Sequence, residues 1–403
     1  MKSRKKIYEL CKIGGQIALV AAILVACAYS STRGFMSIAG KHDRALGPKE
    51  IISATHPLET HIYFNNEVGE SRALDILIEK IRKAQHSVEI AMFSFGSDDM
   101  KRALYAANAR GVKVTLVLDK SKYKQHDALL SDLPIGIQRI EAGAYDPVDS
   151  RNTTYMHDKF MIIDRDLPSE ELATGSLNFT TWGEKYNQSF FLVTKDADII
   201  SVYKKEFDLL KSRTSGIKKL GVTTYNPWAA TINYSDSFLE IWFSPGFSSQ
   251  SIKYRLLDTI NASEKNIDII IWDFTDQQIA SALVKKAREG IKVRIITEDQ
   301  TSLEKNSVIP YLRKMKDKEH LDSMEILLDT KLMDKVTETV PEDFSPLIHH
   351  HSLIADGKTL IFGSGNWSLW GFYNNDENAF VTNNAYLVEE SQKTFDYFYK
   401  TLK

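Results

Sequence analysis

This 403-residue chain contains two histidines, each within a similar short motif, whose types and spacing could form a catalytic site. His157 is followed by Lys159 and then by Asp164, with an apolar run between the lysine and the aspartate. Because side chains alternate along a strand, this spacing predicts a strand that carries the histidine and the lysine on one face. The sequence Gly-Ser-Leu-Asn follows at 175–178.

The same spacing recurs near the C-terminus. His349, His351 and Asp356 occupy the equivalent offsets, and Gly-Ser-Gly-Asn follows at 363–366. The chain therefore holds two copies of one motif, which predicts a site assembled from two halves.

Paired histidines suit the cleavage of a phosphodiester. This anion repels nucleophiles, so the reaction needs a nucleophile, a proton donor for the leaving oxygen and donors that take up charge on the phosphoryl oxygens. One imidazole can attack phosphorus and form a phosphohistidine, while the other donates a proton to the leaving group and later takes one from water. This chemistry needs no metal and no cofactor.

The paired His-x-Lys-x4-Asp motifs, each followed by Gly-Ser-x-Asn, resemble those of the phospholipase D superfamily, and the resemblance covers roughly residues 60–402. It implies an α/β fold of two tandem α/β/α sandwich halves, related by a pseudo-two-fold axis, with the active site at their interface. It implies His157 as nucleophile and His349 as acid. The other implied roles are phosphate binding by Lys159, Asn178 and Asn366, and structural support by Asp164, Asp356 and the turn residues Ser176 and Ser364.

The sequence departs from the family pattern at two positions. His351 replaces the second lysine, so we expect a phosphate-binding imidazole that is cationic only near or below a pKa of about 6.5. Related proteins carry a histidine-orienting glutamate eleven residues past each asparagine; the second half has Glu377 there, and the first half has Ser189. We expect Glu377 to serve His349 as part of the catalytic set, leaving His157 without a matched carboxylate.

Strands alternating with amphipathic helices indicate an α/β fold that is repeated. The strand that begins at Val88 precedes Gly111 by 23 residues, and the strand that begins at Ile267 precedes Gly290 by the same number. The predicted organisation is a linker with little structure at 32–58, a first half at 59–215, a connector at 216–236 and a second half at 237–403.

Residues 1–31 combine five basic residues with an uncharged stretch, which is typical of a signal peptide or a membrane anchor. The sequence around Cys27 also fits a lipobox. The prediction is an exported protein of the cell envelope, anchored or acylated, with its globular part outside the cytoplasm. Without residues 1–26, which hold five basic residues and one acid, the formal net charge changes from −2 to −6. This balance argues against a general nucleic-acid-binding surface.

These observations predict an exported phosphodiesterase that hydrolyses phospholipids, or transfers their head groups, at a membrane surface. Two alternatives stay open: a metal-independent nuclease of the same superfamily, with nucleic acid as substrate, and a degenerate binding module that lost turnover through the exchange at His351. Both half-sites lie in one chain, so no oligomer is required.

Overall fold

The computed structural model describes residues 50–65, 73–146, 148, 153–221, 229–246, 251–330 and 348–403. The predicted signal peptide or anchor at 1–31, with Cys27, lies outside these residues. Within the described part of the chain, no helix is both long and apolar enough to cross a membrane.

The strands alternate with helices through both halves of the described chain. The strands are β1 (Glu50–Ser53), β2 (Thr60–Asn65), β3 (Ser87–Met92), β4 (Phe95–Gly96), β5 (Lys113–Asp119), β6 (Ile137–Ala142), β7 (Lys159–Ile163), β8 (Glu171–Gly175), β9 (Phe179–Thr180), β10 (Ser189–Thr194), β11 (Ala229–Asn233), β12 (Phe238–Phe243), β13 (Asn266–Ile271), β14 (Lys292–Thr297), β15 (Met324–Leu328), β16 (His351–Ala355), β17 (Thr359–Gly363) and β18 (Asn378–Thr382).

Most of the helices begin directly after a residue whose side chain caps the first turn. They are α1 (Ala73–Lys83), α2 (Asp98–Ala109), α3 (Tyr123–Leu130), α4 (Thr181–Tyr186), α5 (Ala197–Lys211), α6 (Ile252–Ala262), α7 (Gln277–Arg288), α8 (Asp299–Ser302), α9 (Ile309–Glu319), α10 (Leu369–Tyr373) and α11 (Ala385–Leu402). For example, Asp196 and Asp276 accept hydrogen bonds from the first backbone N–H groups of α5 and α7.

The two large sheets share one topology. The first has the strand order β2-β10-β8-β7-β3-β5-β6, and the second contains the matching order β12-β18-β17-β16-β13-β14-β15. In the second sheet, β11 pairs with the edge strand β12, and β1 pairs in parallel with β11. The predicted duplication is therefore a duplication of a seven-strand unit.

Helices cover both faces of each sheet. An apolar cluster packs α1 and α2 on the outer face of the first sheet, and another packs α6, α7 and α9 on the outer face of the second. A third cluster places α5 and α11 among strands of both sheets, so it joins the halves. This confirms the predicted α/β class and the tandem α/β/α sandwich halves.

The segments expected as linker and connector each contain a strand, whereas little structure was expected in the linker. The expected linker at 32–58 contains β1, and the expected connector at 216–236 contains β11. These two strands pair over residues 50–53 and 230–233 and extend the second sheet. Both are short, so they lack the repeated alternation that makes a strand visible in a sequence, and they form because a sheet edge is available to them.

The strand carrying the first motif begins later than predicted. β7 starts at Lys159 and leaves His157 just outside it, and β16 likewise starts at His351 and leaves His349 outside. The backbone of each histidine bonds to the other half of the molecule, which draws it out of its own sheet.

Candidate active site

The backbone brings the two histidines to the boundary between the halves. The N–H of His157 donates to the carbonyl of Asp376 over 2.9 Å, and the N–H of His349 donates to the carbonyl of Gln188 over 2.8 Å. Each bond joins one half to the other at equivalent positions. The predicted meeting of the two motifs thus follows from a pair of symmetric backbone contacts.

The carboxylate of Glu377 contacts His157, not His349. Its Oε2 lies 2.8 Å from His157 Nδ1. The Ser364 hydroxyl donates to the same oxygen over 2.8 Å, and the Asn375 amide donates to Oε1 over 3.3 Å. The expected pairing of Glu377 with His349 is therefore wrong. The carbonyl of Asp376 accepts a hydrogen bond from the N–H of His157 itself, so the next residue, Glu377, reaches the histidine of the opposite half.

His349 has a weaker partner. Its Nδ1 lies 3.0 Å from the carbonyl oxygen of Ser176, which accepts only, so Nδ1 carries the hydrogen and Nε2 of the neutral imidazole carries the lone pair. Ser189 occupies the position equivalent to Glu377. Its buried hydroxyl has no hydrogen-bond partner among the described residues. The first histidine is thus oriented by a carboxylate, and the second by a peptide carbonyl.

Burial controls protonation at both histidines. It lowers the pKa of His157 well below its usual value, helped by the Lys159 ammonium, and it does the same for His349. Burial also raises the pKa of Glu377 to about 7. When the neutral imidazole donates its Nδ1 proton to the carboxylate, Nε2 keeps its lone pair for attack.

Lys159 is the cation of the site. Its side chain is 1% exposed, and its ammonium donates to the carbonyl of His157 over 2.7 Å. Burial lowers the pKa of Lys159 to about 8, while Glu377 is the strongest of the carboxylates that oppose this shift. Lys159 therefore stays charged at neutral pH, beside the first histidine.

His351 does not behave as the sequence predicted. It is 3% exposed, and among the described residues neither of its ring nitrogens has a hydrogen-bond partner. Burial lowers its pKa well below 6.5, and His349 and Lys159 add to the shift. The expected loss of charge near pH 6.5 is therefore wrong, because the imidazole is already neutral there.

The asparagines of the two turns leave acceptors unused. The Oδ1 atoms of Asn178 and Asn366 are buried without a hydrogen-bond partner among the described residues. Asn366, His351 and Glu377 line one small cavity. The glycines that open the turns lie close to the neighbouring strand: a Cβ at Gly175 or Gly363 would fall 2.3 or 2.2 Å from a carbonyl oxygen.

The motif aspartates lie away from the histidines, at the far ends of β7 and β16. Asp164 accepts hydrogen bonds from the backbone N–H groups of residues 85–87, and Asp356 accepts them from residues 264–266. Both adopt left-handed backbone angles, with φ of 54° and 56°. Their contacts fix the turn that follows each strand.

Two aromatic residues beside the histidines were missed from the sequence. Phe93 lies edge-on to His157 with ring centroids 4.5 Å apart, and Trp272 lies 5.2 Å from His349. Both follow the first parallel strand of their half at the same offset, five residues past Val88 and Ile267. An aromatic residue at matching positions of two repeats was the available signal.

The run of three histidines at 349–351 does not form a metal centre. The ring of His350 packs against Phe190 and Phe398, away from the other two. Among the described residues, no group of three or more His, Cys, Asp and Glu side chains is arranged to hold a metal ion.

Two tandem halves that share one seven-strand topology and meet at paired histidines define the phospholipase D class of fold. A family model described as "Cardiolipin synthase, PLD-like domain" matches residues 77–211 and 256–399, one segment in each half. The chain belongs to this phospholipase D-like family.

Individual relatives match smaller parts of the chain. A mitochondrial cardiolipin hydrolase from Homo sapiens is 34% identical over 140 residues, which are 35% of this chain and 51% of that protein. A phospholipase D from Rickettsia bellii (strain RML369-C) is 28% identical over 142 residues, or 34% of this chain and 63% of that protein. The chain thus spans between half and two thirds of these relatives.

A solved structure resembles nearly the whole described fold. The phosphatidylserine synthase of Haemophilus influenzae Rd KW20 superimposes with a TM-score of 0.57 and 13% identity, covering 83% of this chain and 85% of that one. At this identity the likeness concerns the fold alone.

Proposed function

We propose that the protein is a phospholipase D-type phosphodiesterase that cleaves the head-group ester of phospholipids through a covalent intermediate on His157. The observation that carries the proposal is the 2.8 Å contact between His157 Nδ1 and Glu377 Oε2. An imidazole that bonds to phosphorus through Nε2 becomes cationic, and a carboxylate at Nδ1 stabilises that charge.

The reaction uses both half-sites. Burial keeps the resting His349 neutral, and a bound phosphodiester anion beside it favours protonation of its Nε2. His157 Nε2 attacks phosphorus, the bond from phosphorus to the head-group oxygen breaks, and the protonated His349 gives its proton to that oxygen. His349 then takes a proton from water, which attacks phosphorus and breaks the N–P bond. An alcohol in place of water transfers the phosphatidyl group. Lys159, Asn178, Asn366 and His351 surround the phosphoryl oxygens, and the ammonium of Lys159 stabilises their charge.

Phospholipid as substrate is supported by the relatives named for cardiolipin hydrolysis and phospholipase D activity. The basic residues and the uncharged stretch of residues 1–31 support export and attachment to the cell envelope, which would place the site beside lipid. The proposal keeps the predicted domain organisation, in which two halves follow an N-terminal leader. It adds β1 and β11 to the second half.

The first experiment incubates the purified full chain with EDTA and either mixed phospholipid vesicles or single-stranded DNA. We expect phosphatidic acid and released head group, with no DNA fragments. Cleavage of DNA alone would establish the nuclease alternative, and cleavage of neither substrate would favour the binding module.

A second experiment assigns the histidines. A phosphatidyl ester of p-nitrophenol has a leaving group that needs no protonation, so formation of the intermediate bypasses the acid. We expect His349→Ala to release a burst of one nitrophenol per chain and to accumulate a phosphatidyl adduct on His157. His157→Ala should give no burst. A burst in His157→Ala would reverse the assignment.

A further inference from the structure

A buried charged network lies directly behind the pair formed by His157 and Glu377. It consists of Lys219, Glu206, Asp376 and Asp158, all four with 0% exposure. Glu206 belongs to α5 of the first half, Asp376 precedes β18 of the second half, and Lys219 lies in the short 3-10 helix Gly216–Gly221 that leaves the first half. We call these four residues the Lys219 network.

Lys219 ties the two halves together through its ammonium. The ammonium lies 2.7 Å from Asp376 Oδ1 and contacts Glu206 Oε1 on the other side. The N–H of Gly216 donates to the same oxygen of Asp376 over 2.6 Å. The side chain of Asp376 is therefore held by the chain that leaves the first half.

Asp376 is also hydrogen-bonded to the backbone of the candidate site. Its carbonyl accepts from the N–H of His157 over 2.9 Å, and its own N–H donates to the carbonyl of Tyr155 over 2.8 Å. Glu377 is the next residue. The position of Asp376 therefore helps to set the distance between Glu377 and His157.

Asp158 makes a second link of the same kind. It follows His157 in the chain, and its Oδ1 accepts from the amide of Asn378 over 2.8 Å. Asn378 follows Glu377, and its own oxygen accepts from the hydroxyl of Tyr203 over 3.2 Å. Each member of the His157–Glu377 pair thus has a chain neighbour in a buried polar contact that crosses between the halves.

The network contains three carboxyl groups and one ammonium. Burial opposes the charge of Lys219, but Asp376 and Glu206 outweigh it and raise the lysine pKa above its usual value. Burial raises the pKa of Glu206 and that of Asp376 above their usual values, although the Lys219 ammonium opposes both shifts. The ammonium contacts Asp376 and Glu206 directly, so its loss leaves their buried oxygens without this charged partner.

We propose that Lys219 is a positioning residue for the phosphodiesterase reaction: its ammonium clamps Asp376 to the first half and thereby holds Glu377 against His157. The inference rests on the function proposed above for that pair. Lys219 contacts neither histidine and has no direct part in the chemistry.

The test compares Lys219→Met with a matched control, Lys286→Met, in the full chain. Lys286 is 7% exposed and pairs with Glu289 at 3.0 Å and with the Ser263 carbonyl at 3.0 Å, within the second half. We expect Lys219→Met to lower kcat about 100-fold with little change in KM, because a carboxylate displaced by about 1 Å no longer supports the cationic imidazole. Lys219→Arg, which keeps the charge, should restore part of kcat. The control should leave kcat unchanged.

Amide hydrogen exchange gives a readout that is independent of turnover. In Lys219→Met, the amides of His157 and Asp376 should exchange at least about tenfold faster than in the wild-type chain, and Lys286→Met should leave them unchanged. If Lys219→Met does not fold, the double variant Lys219→Met/Asp376→Asn also removes the carboxylate of Asp376 that has lost its partner. We expect the same lower kcat and the same faster amide exchange in the double variant.

Unchanged exchange and unchanged kcat in either folded variant would overturn the positioning role. A parallel rise in exchange across the whole chain, with KM and kcat equally affected, would show a purely structural lysine and overturn it as well. If the wild-type chain cleaves no phosphodiester, the proposed function fails, while the exchange comparison still decides whether Lys219 holds Asp376 and His157 together.

Discussion

The two half-sites have the same backbone and different electrostatics. Around His157 the structure places the carboxylate of Glu377 and the ammonium of Lys159. Around His349 the equivalent positions hold Ser189 and the neutral imidazole of His351. One histidine is thus surrounded by groups that stabilise a cation and bind an anion, and the other by groups that carry no charge.

The residues that follow the two histidines in the chain also differ in their contacts. Asp158 follows the first histidine and bonds to Asn378, whereas His350 follows the second and packs against Phe190, at the position equivalent to Asn378. A polar contact in one half is an aromatic contact in the other. The two halves thus differ in a way that favours the proposed assignment, in which His157 would form the covalent bond and His349 would exchange protons.

The sharpest test of this comparison is Glu377→Gln beside Ser189→Ala. A neutral amide cannot compensate a cationic imidazole and can present its NH2 to Nδ1, so we expect kcat to fall about 1,000-fold or more. Ser189→Ala removes a hydroxyl without a described partner, and kcat should change less than about threefold. Steady-state kinetics on one phospholipid measures both, with circular dichroism as the check of folding. Equal losses in the two variants would remove the asymmetry.

The second pair of changes compares the two anion-binding positions. Lys159→Met should lower kcat/KM about 100-fold, because a buried charge that stabilises the phosphoryl oxygens is lost. His351→Asn should cost less than about tenfold, since the imidazole it replaces is neutral. In the wild-type chain, kcat/KM should also fall above pH 8 as Lys159 deprotonates from its pKa of about 8. This limb should be absent in Lys159→Met. A limb near pH 6.5 that disappears in His351→Asn would contradict the assignment.

The sequence predicted the fold class and the duplication because both produce local sequence patterns. Alternating apolar strands, amphipathic helices and a repeated 23-residue interval each require only neighbouring residues. The structure also brings the two motif histidines and Lys159 to one boundary between the halves, and it places Asn366 in one small cavity with His351 and Glu377. Their types and offsets sufficed to select them.

The partner of Glu377 could not be predicted in the same way. Glu377 and His157 are 220 residues apart, and which histidine the carboxylate reaches depends on how the two halves pack. The same holds for Lys219, whose acids lie on α5 and before β18, and for β1, which needs the edge of a sheet formed 180 residues later. Contacts between distant segments are set by the packing of whole elements, and no local periodicity records them.

The smallest expected effect is on the pH dependence of the free energy of unfolding. It comes from the residue that follows each histidine, and its sign is opposite in the two halves. Burial lowers the pKa of His350 to about 3, so the folded state binds fewer protons than the unfolded state below pH 6.5. Its contribution to the free energy of unfolding is present above pH 6.5 and is lost as the pH falls towards 3. Burial raises the pKa of Asp158, so its contribution is present at low pH and is lost as the pH rises.

His350→Phe and Asp158→Asn should therefore change the pH dependence of stability in opposite directions. Relative to the wild-type chain, His350→Phe should gain about 2 kcal/mol as the pH falls from 7 to 5, because each unit of pKa shift is worth about 1.4 kcal/mol. Asp158→Asn should gain as the pH rises over the same interval. Urea unfolding at pH 5, 6 and 7 measures both, and slopes of the same sign would mean that the two buried neighbours do not differ as the comparison requires.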